Sequence, residues 1–229
     1  MSRTLALLLC AVGVALVACG DDDSDAGGTA AASNRTKATG GVGCGADVET
    51  PAPKPDGGAK KPKDGLSPAK RYEVTLETSC GNITIRVDQK TSPKTAASFV
   101  ALAESGFYDD TVFHRIVPDF VIQGGDPTGS GSGGPGYSVR DVPPPDTAYT
   151  EGVVAMAKTA AEPPGTSGSQ FYIVTAPDAG LPPEYALLGR VVRGLDVVRA
   201  IGKLGDPASG EAGTPLRTVV IEGTRVRES

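Results

Sequence analysis

The feature that most constrains this chain is an abrupt change of pattern near residue 70. Residues 20–70 are rich in Gly, Ala, Asp, Lys and Pro and contain almost no large apolar side chain. Such a segment cannot offset its ordering entropy by burying apolar surface, so we predict a disordered tether over 19–70. From Tyr72 onward apolar residues recur in short patterned runs. We therefore predict one folded domain at 71–229.

The first 18 residues have the order of an export signal. A positive charge at Arg3 is followed by an apolar run over 5–18. A helix that spans a bilayer needs about 20 apolar residues, and this run is shorter and is followed by an acidic cluster at 21–25. We predict that segment 1–18 is a signal peptide that is removed.

The end of the apolar run, Leu16-Val17-Ala18-Cys19, resembles the bacterial lipobox, in which the chain is cut before a cysteine that is then acylated. The resemblance implies lipidation of Cys19, and two or more acyl chains anchor a protein stably. The protein would then be held at the cell membrane, facing the extracytoplasmic side. The alternative is a plain secreted protein in which Cys19 carries no lipid.

Two further cysteines, Cys44 and Cys80, remain once Cys10 and Cys19 have been assigned to the signal peptide and the lipid. An exported protein is exposed to conditions in which disulfides form. Cys44 belongs to the predicted tether and Cys80 to a predicted turn, so the sequence leaves open whether the two are bonded.

The domain is predicted to consist mainly of β-strands. Alternating apolar residues on both sides of Cys80-Gly81-Asn82 predict a β-hairpin. Ser92-Pro93 begins a predicted amphipathic helix that ends at Ser105-Gly106, and a second helix fits 194–204. Further strands are predicted over 112–116, 121–123, 153–157, 171–175, 186–192 and 219–226. This pattern predicts a closed antiparallel β-barrel capped by two α-helices.

Several classes of function are excluded by charge and motif. The net charge of −5 argues against a nucleic-acid partner, because such binding depends on clustered Lys and Arg. His114 is the sole histidine, so a multi-histidine metal site is excluded, and nothing indicates a cofactor. The glycine-rich stretch 124–136 lacks the ending of a phosphate-binding loop, and the serine-hydrolase motif fails at Ser169.

Three segments resemble the cyclophilin-type peptidyl-prolyl cis-trans isomerases. In the first, Phe113-His114-Arg115 is followed by Phe120 and then by Gln123-Gly124-Gly125-Asp126. The second is Gly168-Ser169-Gln170-Phe171-Tyr172-Ile173, and the third covers 181–191. The resemblance extends over 72–226 and implies an eight-stranded antiparallel barrel with two helices. Together with Cys19, it suggests a bacterial lipoprotein form of this family.

The resemblance also implies the roles of individual residues. Rotation about an X-Pro bond faces a barrier of about 18 to 20 kcal/mol, because amide resonance must be broken. Arg115 would donate to the proline nitrogen as the amide twists, and His114 would line the groove without acting as a base. The implied catalytic residues are Arg115, His114, Phe120 and Gln123. The implied substrate-binding residues are Val121, Ala157, Lys158, Thr159, Gln170, Tyr172, Leu181 and Tyr185.

Four positions depart from the family pattern: Lys158 replaces the usual Asn, Tyr172 a frequent Phe, Gly180 a frequent Trp and Tyr185 a frequent His. Loss of the indole donor implies weak binding of cyclosporin. We expect a monomer that acts on proline-containing polypeptides among exported or cell-envelope proteins. The alternatives are a non-catalytic proline-peptide-binding module or holdase chaperone, and a structural lipoprotein that binds no peptide.

Overall fold

The computed structural model describes residues 43–45 and 47–229. The predicted signal peptide and Cys19 lie outside these residues. In chain order the elements are β1 (Tyr72–Thr78), β2 (Gly81–Val87), α1 (Pro93–Glu104), β3 (Thr111–Val112), β4 (Arg115–Val117), β5 (Val121–Gly124), β6 (Val139–Arg140), β7 (Val153–Met156), β8 (Thr166–Ser167), β9 (Phe171–Val174), β10 (Leu187–Arg193), α2 (Leu195–Gly202), a 3-10 segment (Pro207–Ala212) and β11 (Val220–Glu228). No helix among these residues is long and apolar enough to cross a membrane.

Nine strands form one curled antiparallel sheet in the order β3-β11-β1-β2-β10-β7-β9-β5-β4, and β6 pairs with β8 separately. The edge strands β3 and β4 are separated in the chain only by Phe113 and His114, so the sheet must curl until its two edges approach each other. The prediction of a mainly β fold is confirmed. The predicted closed, eight-stranded barrel is wrong, because the sheet stays open between β3 and β4.

The run 112–116 was predicted as one strand and is divided into two. Val112 pairs with Val220 at one edge of the sheet, whereas Arg115 pairs with Gln123 at the other edge. A single straight strand cannot reach both edges, so the chain bends between them. Phe113 fills the bend, and its side chain is buried in the core.

The core lies on the concave face of the sheet. Residues that pair directly across antiparallel strands point to the same face. One such row runs across β4, β5, β9 and β7 and consists of Ile116, Ile122, Ile173 and Val154. All four side chains are fully buried in the main hydrophobic cluster. The neighbouring residues on each strand must therefore face outward, and these include Arg115.

Both predicted helices are confirmed, and both pack on this core. Ser92 occupies the N-cap position of α1, as expected, but its side chain makes no capping hydrogen bond. The carboxylate of Asp141 instead accepts a hydrogen bond from the Thr95 N–H at 2.7 Å. An acceptor 46 residues away in the chain thus satisfies the helix start, which local sequence patterns cannot predict.

Residues 47–65, here called the strap, are ordered against the domain. This differs from the disordered tether predicted for this part of the chain. Cys44 is disulfide-bonded to Cys80 in the turn between β1 and β2. The Lys54 ammonium donates to the carbonyls of Gly106, Phe107 and Asp109 at 3.0, 2.8 and 2.9 Å. The strap has no helix or strand, and it is ordered by polar contacts with loops whose backbone groups the sheet leaves unpaired.

Candidate active site

The outward row next to the core row carries the candidate active site. It consists of Arg115, Gln123, Tyr172 and Ala155, which are directly paired across β4, β5, β9 and β7. The sheet register alone therefore brings together the predicted catalytic arginine, the predicted catalytic glutamine and a predicted substrate-binding aromatic ring.

Arg115 is half-buried, and its guanidinium is fixed on two sides. Its Nε donates to the carbonyl of Glu211 at 2.9 Å, and its Nη1 donates to Oε1 of Gln123 at 3.2 Å. Burial lowers the pKa of Arg115 below its ordinary 12.5, an effect that the Glu211 charge opposes. Guanidinium groups remain protonated in proteins, so Arg115 presents a fixed positive charge.

Gln123 and Gln170 continue this network across the site. Gln123 Nε2 donates to Gln170 Oε1 at 3.0 Å. Gln170 Nε2 in turn donates to the carbonyls of Gly131 and Gly133 at 3.0 and 2.9 Å. A continuous chain of hydrogen bonds thus links Arg115 to the glycine-rich loop.

An apolar surface lies beside the guanidinium. The Arg115 Cζ atom is 5.9 Å from the centroid of the Phe120 ring, which is within the range of a cation–π contact. Asp119 precedes this ring with a φ of 53°, a left-handed conformation that aspartate tolerates and that turns the chain toward Phe120. The second hydrophobic cluster unites six predicted site residues, which are Phe120, Val121, Ala157, Tyr172, Leu181 and Tyr185.

Tyr149 belongs to this cluster and was missed by sequence reasoning. Its hydroxyl donates to the carbonyl of Tyr185 at 2.6 Å and accepts from the Tyr185 N–H at 3.0 Å. Burial raises the pKa of Tyr149 to about 12, so the hydroxyl remains protonated. Its ring lies 5.9 Å from that of Tyr185 and 6.3 Å from that of Tyr172. Tyr149 therefore fixes the aromatic wall, and no local motif marked it.

Two backbone N–H groups in the segment 157–159 already have partners within the chain. The N–H of Ala157 donates to the carbonyl of Gln170 at 2.9 Å, and the N–H of Thr159 donates to the Glu162 carboxylate at 2.6 Å. These two N–H groups are therefore already satisfied within the chain and are not free to pair with a substrate strand. Lys158 remains the residue of the three whose backbone no hydrogen bond within the described chain occupies.

The Lys158 side chain makes structural contacts within the chain. It is 4% exposed, and its ammonium lies 3.1 Å from the Glu184 carboxylate and 5.4 Å from the centroid of the Tyr185 ring. It also donates to the carbonyl of Glu162 at 3.2 Å. The side chain thus braces two neighbouring segments of the groove, and the predicted pairing of the 157–159 backbone with a substrate does not depend on it.

His114 follows the bend between β3 and β4. Burial lowers the pKa of His114 below its ordinary 6.5, so the imidazole is neutral at physiological pH. Neither ring nitrogen finds a hydrogen-bond partner among the residues that the structure describes. The imidazole lies beside Gly131 of the glycine-rich loop, and its role in lining the groove stays a prediction.

A cavity of about 450 Å³ adjoins the network. Its walls are Gln123 and Gln170, the segment 157–159 and the glycine-rich loop from Gly131 to Ser138. The cavity therefore adjoins the glutamine pair, and Ala157 belongs both to its walls and to the apolar cluster.

The chain belongs to the cyclophilin family. Residues 73–226 match the family model described as cyclophilin type peptidyl-prolyl cis-trans isomerase/CLD. This match begins one residue after the start of β1 and excludes the strap. Membership supports peptidyl-prolyl cis-trans isomerase activity, and thus confirms the enzyme class that the sequence predicts.

Three similar eukaryotic proteins illustrate this membership. Peptidyl-prolyl cis-trans isomerase CYP18-2 of Arabidopsis thaliana is 40% identical over 158 residues, which cover 67% of this chain and 93% of the relative. The human peptidyl-prolyl cis-trans isomerase-like 1 is 42% identical over 145 residues, covering 62% and 84%. A Cryptosporidium parvum cyclophilin-type isomerase, solved in the presence of the dipeptide Ala-Pro, superposes with a TM-score of 0.61 at 30% identity, covering 68% and 98%.

Proposed function

We propose that this isomerase accelerates rotation about X-Pro bonds in exported or cell-envelope proteins, with Arg115 as the catalytic donor. The observation that carries the proposal is the position of its fixed guanidinium, between the apolar wall around Phe120 and the Gln123–Gln170 pair. A proline ring seated on that wall would bring its imide bond next to the positive charge.

The charge acts on the twisted amide. When the X-Pro bond rotates, resonance is lost and the proline nitrogen gains a lone pair, which a cationic donor stabilises more in the transition state than in the planar ground state. The two hydrogen bonds that fix Arg115 reduce the reorganisation needed at that moment. Arg115 requires no proton transfer, which agrees with a neutral His114.

The magnitude shows that Arg115 does not act alone. A hydrogen bond to a charged group contributes about 1.5 to 3 kcal/mol, which corresponds to one or two orders of magnitude in rate. The remaining acceleration would come from the apolar wall, which desolvates the amide and holds the proline ring. Phe120, Tyr172 and Leu181 are the side chains that we assign to this task.

The choice of exported substrates rests on three features of the N-terminal part of the chain. The apolar run 5–18 and the segment Leu16-Val17-Ala18-Cys19 are typical of a lipoprotein signal. The Cys44–Cys80 disulfide is of a kind that persists in oxidising compartments. We therefore propose that lipid on Cys19 holds the enzyme at the extracytoplasmic side of the cell membrane, where it assists folding.

The isomerase proposal is tested by comparing the full chain with its Arg115→Ala variant on an Ala-Pro test peptide. We expect kcat/KM to fall by about one to two orders of magnitude in the variant. Arg115→Lys is the matched control for charge, and it should recover only part of the rate because the two-sided contacts of the guanidinium are lost. A folded wild-type protein that binds the peptide without accelerating isomerisation would favour the proline-binding module instead.

Membrane attachment is tested by metabolic labelling with a palmitate analogue in a bacterial host. We expect wild-type protein to incorporate the label and to sediment with membranes, and the Cys19→Ser variant to do neither. Cys10→Ser is the control, since Cys10 lies within the predicted signal peptide. Label-free, soluble wild-type protein in the culture medium would support the plain secreted alternative.

A further inference from the structure

One peptide group in the glycine-rich loop is held from both sides. The Gly134 N–H donates to the Asp56 carboxylate of the strap at 2.8 Å. The carbonyl of the same peptide group, which belongs to Gly133, accepts from Gln170 Nε2 at 2.9 Å. In a planar trans peptide the N–H and C=O point in opposite directions, so Asp56 and Gln170 hold it from opposite sides.

This peptide group needs such restraint because it joins two glycines. Glycine backbones rotate with little steric cost, so the Gly133–Gly134 plane could turn away from Gln170 if only one side were held. Two further strap bonds reinforce the contact: the Gly57 N–H donates to the carbonyl of Gly134 at 2.9 Å, and the Ala59 N–H donates to that of Pro135 at 3.1 Å.

The inner side of the loop is held by Asp126, which is fully buried. Its carboxylate accepts hydrogen bonds from the N–H groups of Thr128, Gly131 and Gly133. These bonds fix the base of the loop but leave the Gly133–Gly134 plane to the strap and Gln170. The loop is thus held on its inner side by the carboxylate of Asp126, within the family domain, and on its outer side by the carboxylate of Asp56, outside that domain.

The restrained peptide lies at one end of the network that reaches the catalytic arginine. Gln170 accepts from Gln123, and Gln123 accepts from Arg115, so rotation of the Gly133–Gly134 plane would release one of the two bonds by which Gln170 is held to the loop and leave only the bond to Gly131. The same loop and Gln170 also line the 450 Å³ cavity beside the groove. Disorder at Gly134 would therefore change substrate binding more than it changes the position of Arg115.

We propose that the strap is a positioning element of the substrate groove and that Asp56 is its positioning residue. By holding the Gly133–Gly134 peptide, Asp56 keeps Gln170 oriented and the cavity in shape for the substrate polypeptide. The family model begins at residue 73, so this element is added to the family domain rather than part of it. Asp56 itself is exposed and touches no substrate in this assignment.

The test compares three variants of the full chain: Asp56→Ala, Asp56→Asn and Asp64→Ala. Asp56→Ala removes the acceptor, and we expect kcat/KM for an Ala-Pro peptide to fall about two- to tenfold, mainly through KM, as loss of one hydrogen bond allows. Asp56→Asn retains the Oδ1 acceptor and should keep most of the activity. Asp64→Ala changes an exposed carboxylate of the same strap outside the stretch that contacts the loop, and should behave as wild type.

A second measurement separates positioning from general stability and from turnover. The side-chain amide resonances of Gln170 should shift and exchange faster with solvent in Asp56→Ala alone, while the melting temperatures of all three variants stay within a few degrees of wild type. Because this signal does not depend on catalysis, it reports on the strap even if the isomerase proposal fails. Unchanged Gln170 resonances in Asp56→Ala, or an Asp56→Asn variant as impaired as Asp56→Ala, would overturn the inference.

Discussion

The inner face of the sheet and the strap are ordered parts of one domain, yet they are held by different kinds of contact. In the sheet, the row of Ile116, Ile122, Ile173 and Val154 is fully buried. In the strap most residues are exposed. The strap is held by backbone hydrogen bonds, by the hydrogen bonds of the Lys54 ammonium and by the disulfide at Cys44, which precedes the strap in the chain.

This difference shows how a segment with almost no large apolar residue can be ordered. The entropy of such a segment is too large to be offset by burial. The disulfide to Cys80 restricts the conformations available to the strap. The folded domain then supplies unpaired carbonyl and N–H groups as hydrogen-bond partners. Order in the strap therefore depends on the sheet having folded, and the reverse dependence should be weak.

The largest effect is expected in the core. Phe171→Ala removes a fully buried ring that packs against Phe99, Tyr108 and Phe113. We expect the free energy of unfolding to fall by about 3 to 5 kcal/mol, because a cavity replaces the ring. Chemical denaturation would measure this. A loss smaller than that of any strap variant would contradict the contrast between the two regions.

The disulfide should have the next largest effect. Cys44→Ser opens a loop between residues 36 positions apart, which by chain entropy should lower the free energy of unfolding by about 2 to 4 kcal/mol. Amide exchange at Gly57 and Ala59 should also become faster, while exchange at Ile173 in the sheet stays slow. Reduced wild-type protein is the control. Equal acceleration at Ile173 would show that strap and sheet unfold together.

Removal of the Lys54 charge should have a smaller effect. Lys54→Met keeps the apolar stem but deletes three hydrogen bonds to carbonyls, so we expect a loss of about 1 to 2 kcal/mol, reduced by partial exposure to solvent. Lys60→Met, at an exposed strap position, is the matched control and should change stability by less than about 0.5 kcal/mol. Similar losses in both variants would indicate a nonspecific charge effect.

The smallest effect should be the change with pH, near neutrality, of the stability that Asp126 contributes. Burial opposes its ionisation, but hydrogen bonds from Thr128, Gly133 and Gly131 outweigh burial and lower its pKa below the ordinary 3.8. A carboxylate with a lowered folded-state pKa contributes stability that is complete above about pH 5 and is lost as pH falls through the folded value. The stability difference between wild type and Asp126→Asn should thus be flat from pH 7 to 5 and shrink below about pH 5. A difference that shrinks between pH 7 and 5 would contradict this assignment.

Much of the fold and the site followed from local patterns. The hairpin, both helices and most strands were predicted because alternation and helical spacing report burial on one face. The cyclophilin resemblance named Arg115, Gln123, Gln170 and Phe120, which the structure does bring together in one groove. Their catalytic and binding roles stay predictions that the variants above would test.

Other features could not be predicted, because they depend on distant partners. Tyr149 meets Tyr185 across 36 positions, and Asp141 satisfies the start of α1 across 46. The cyclophilin resemblance assigned the backbone at Lys158 to the substrate, and nothing in the local sequence indicated that its side chain would contact Glu184 and Tyr185. The open edge between β3 and β4 likewise follows from how the whole sheet curls.

The sequence by itself determined the mainly β character and the family, because these depend on composition, periodicity and motif spacing within short windows. Only the tertiary structure decided that Cys44 is bonded to Cys80 and that the strap is ordered beside the glycine-rich loop. The physical reason is that polar, glycine-rich segments have no preferred partner in their own sequence. Their order arises when a folded surface presents donors and acceptors at matching positions.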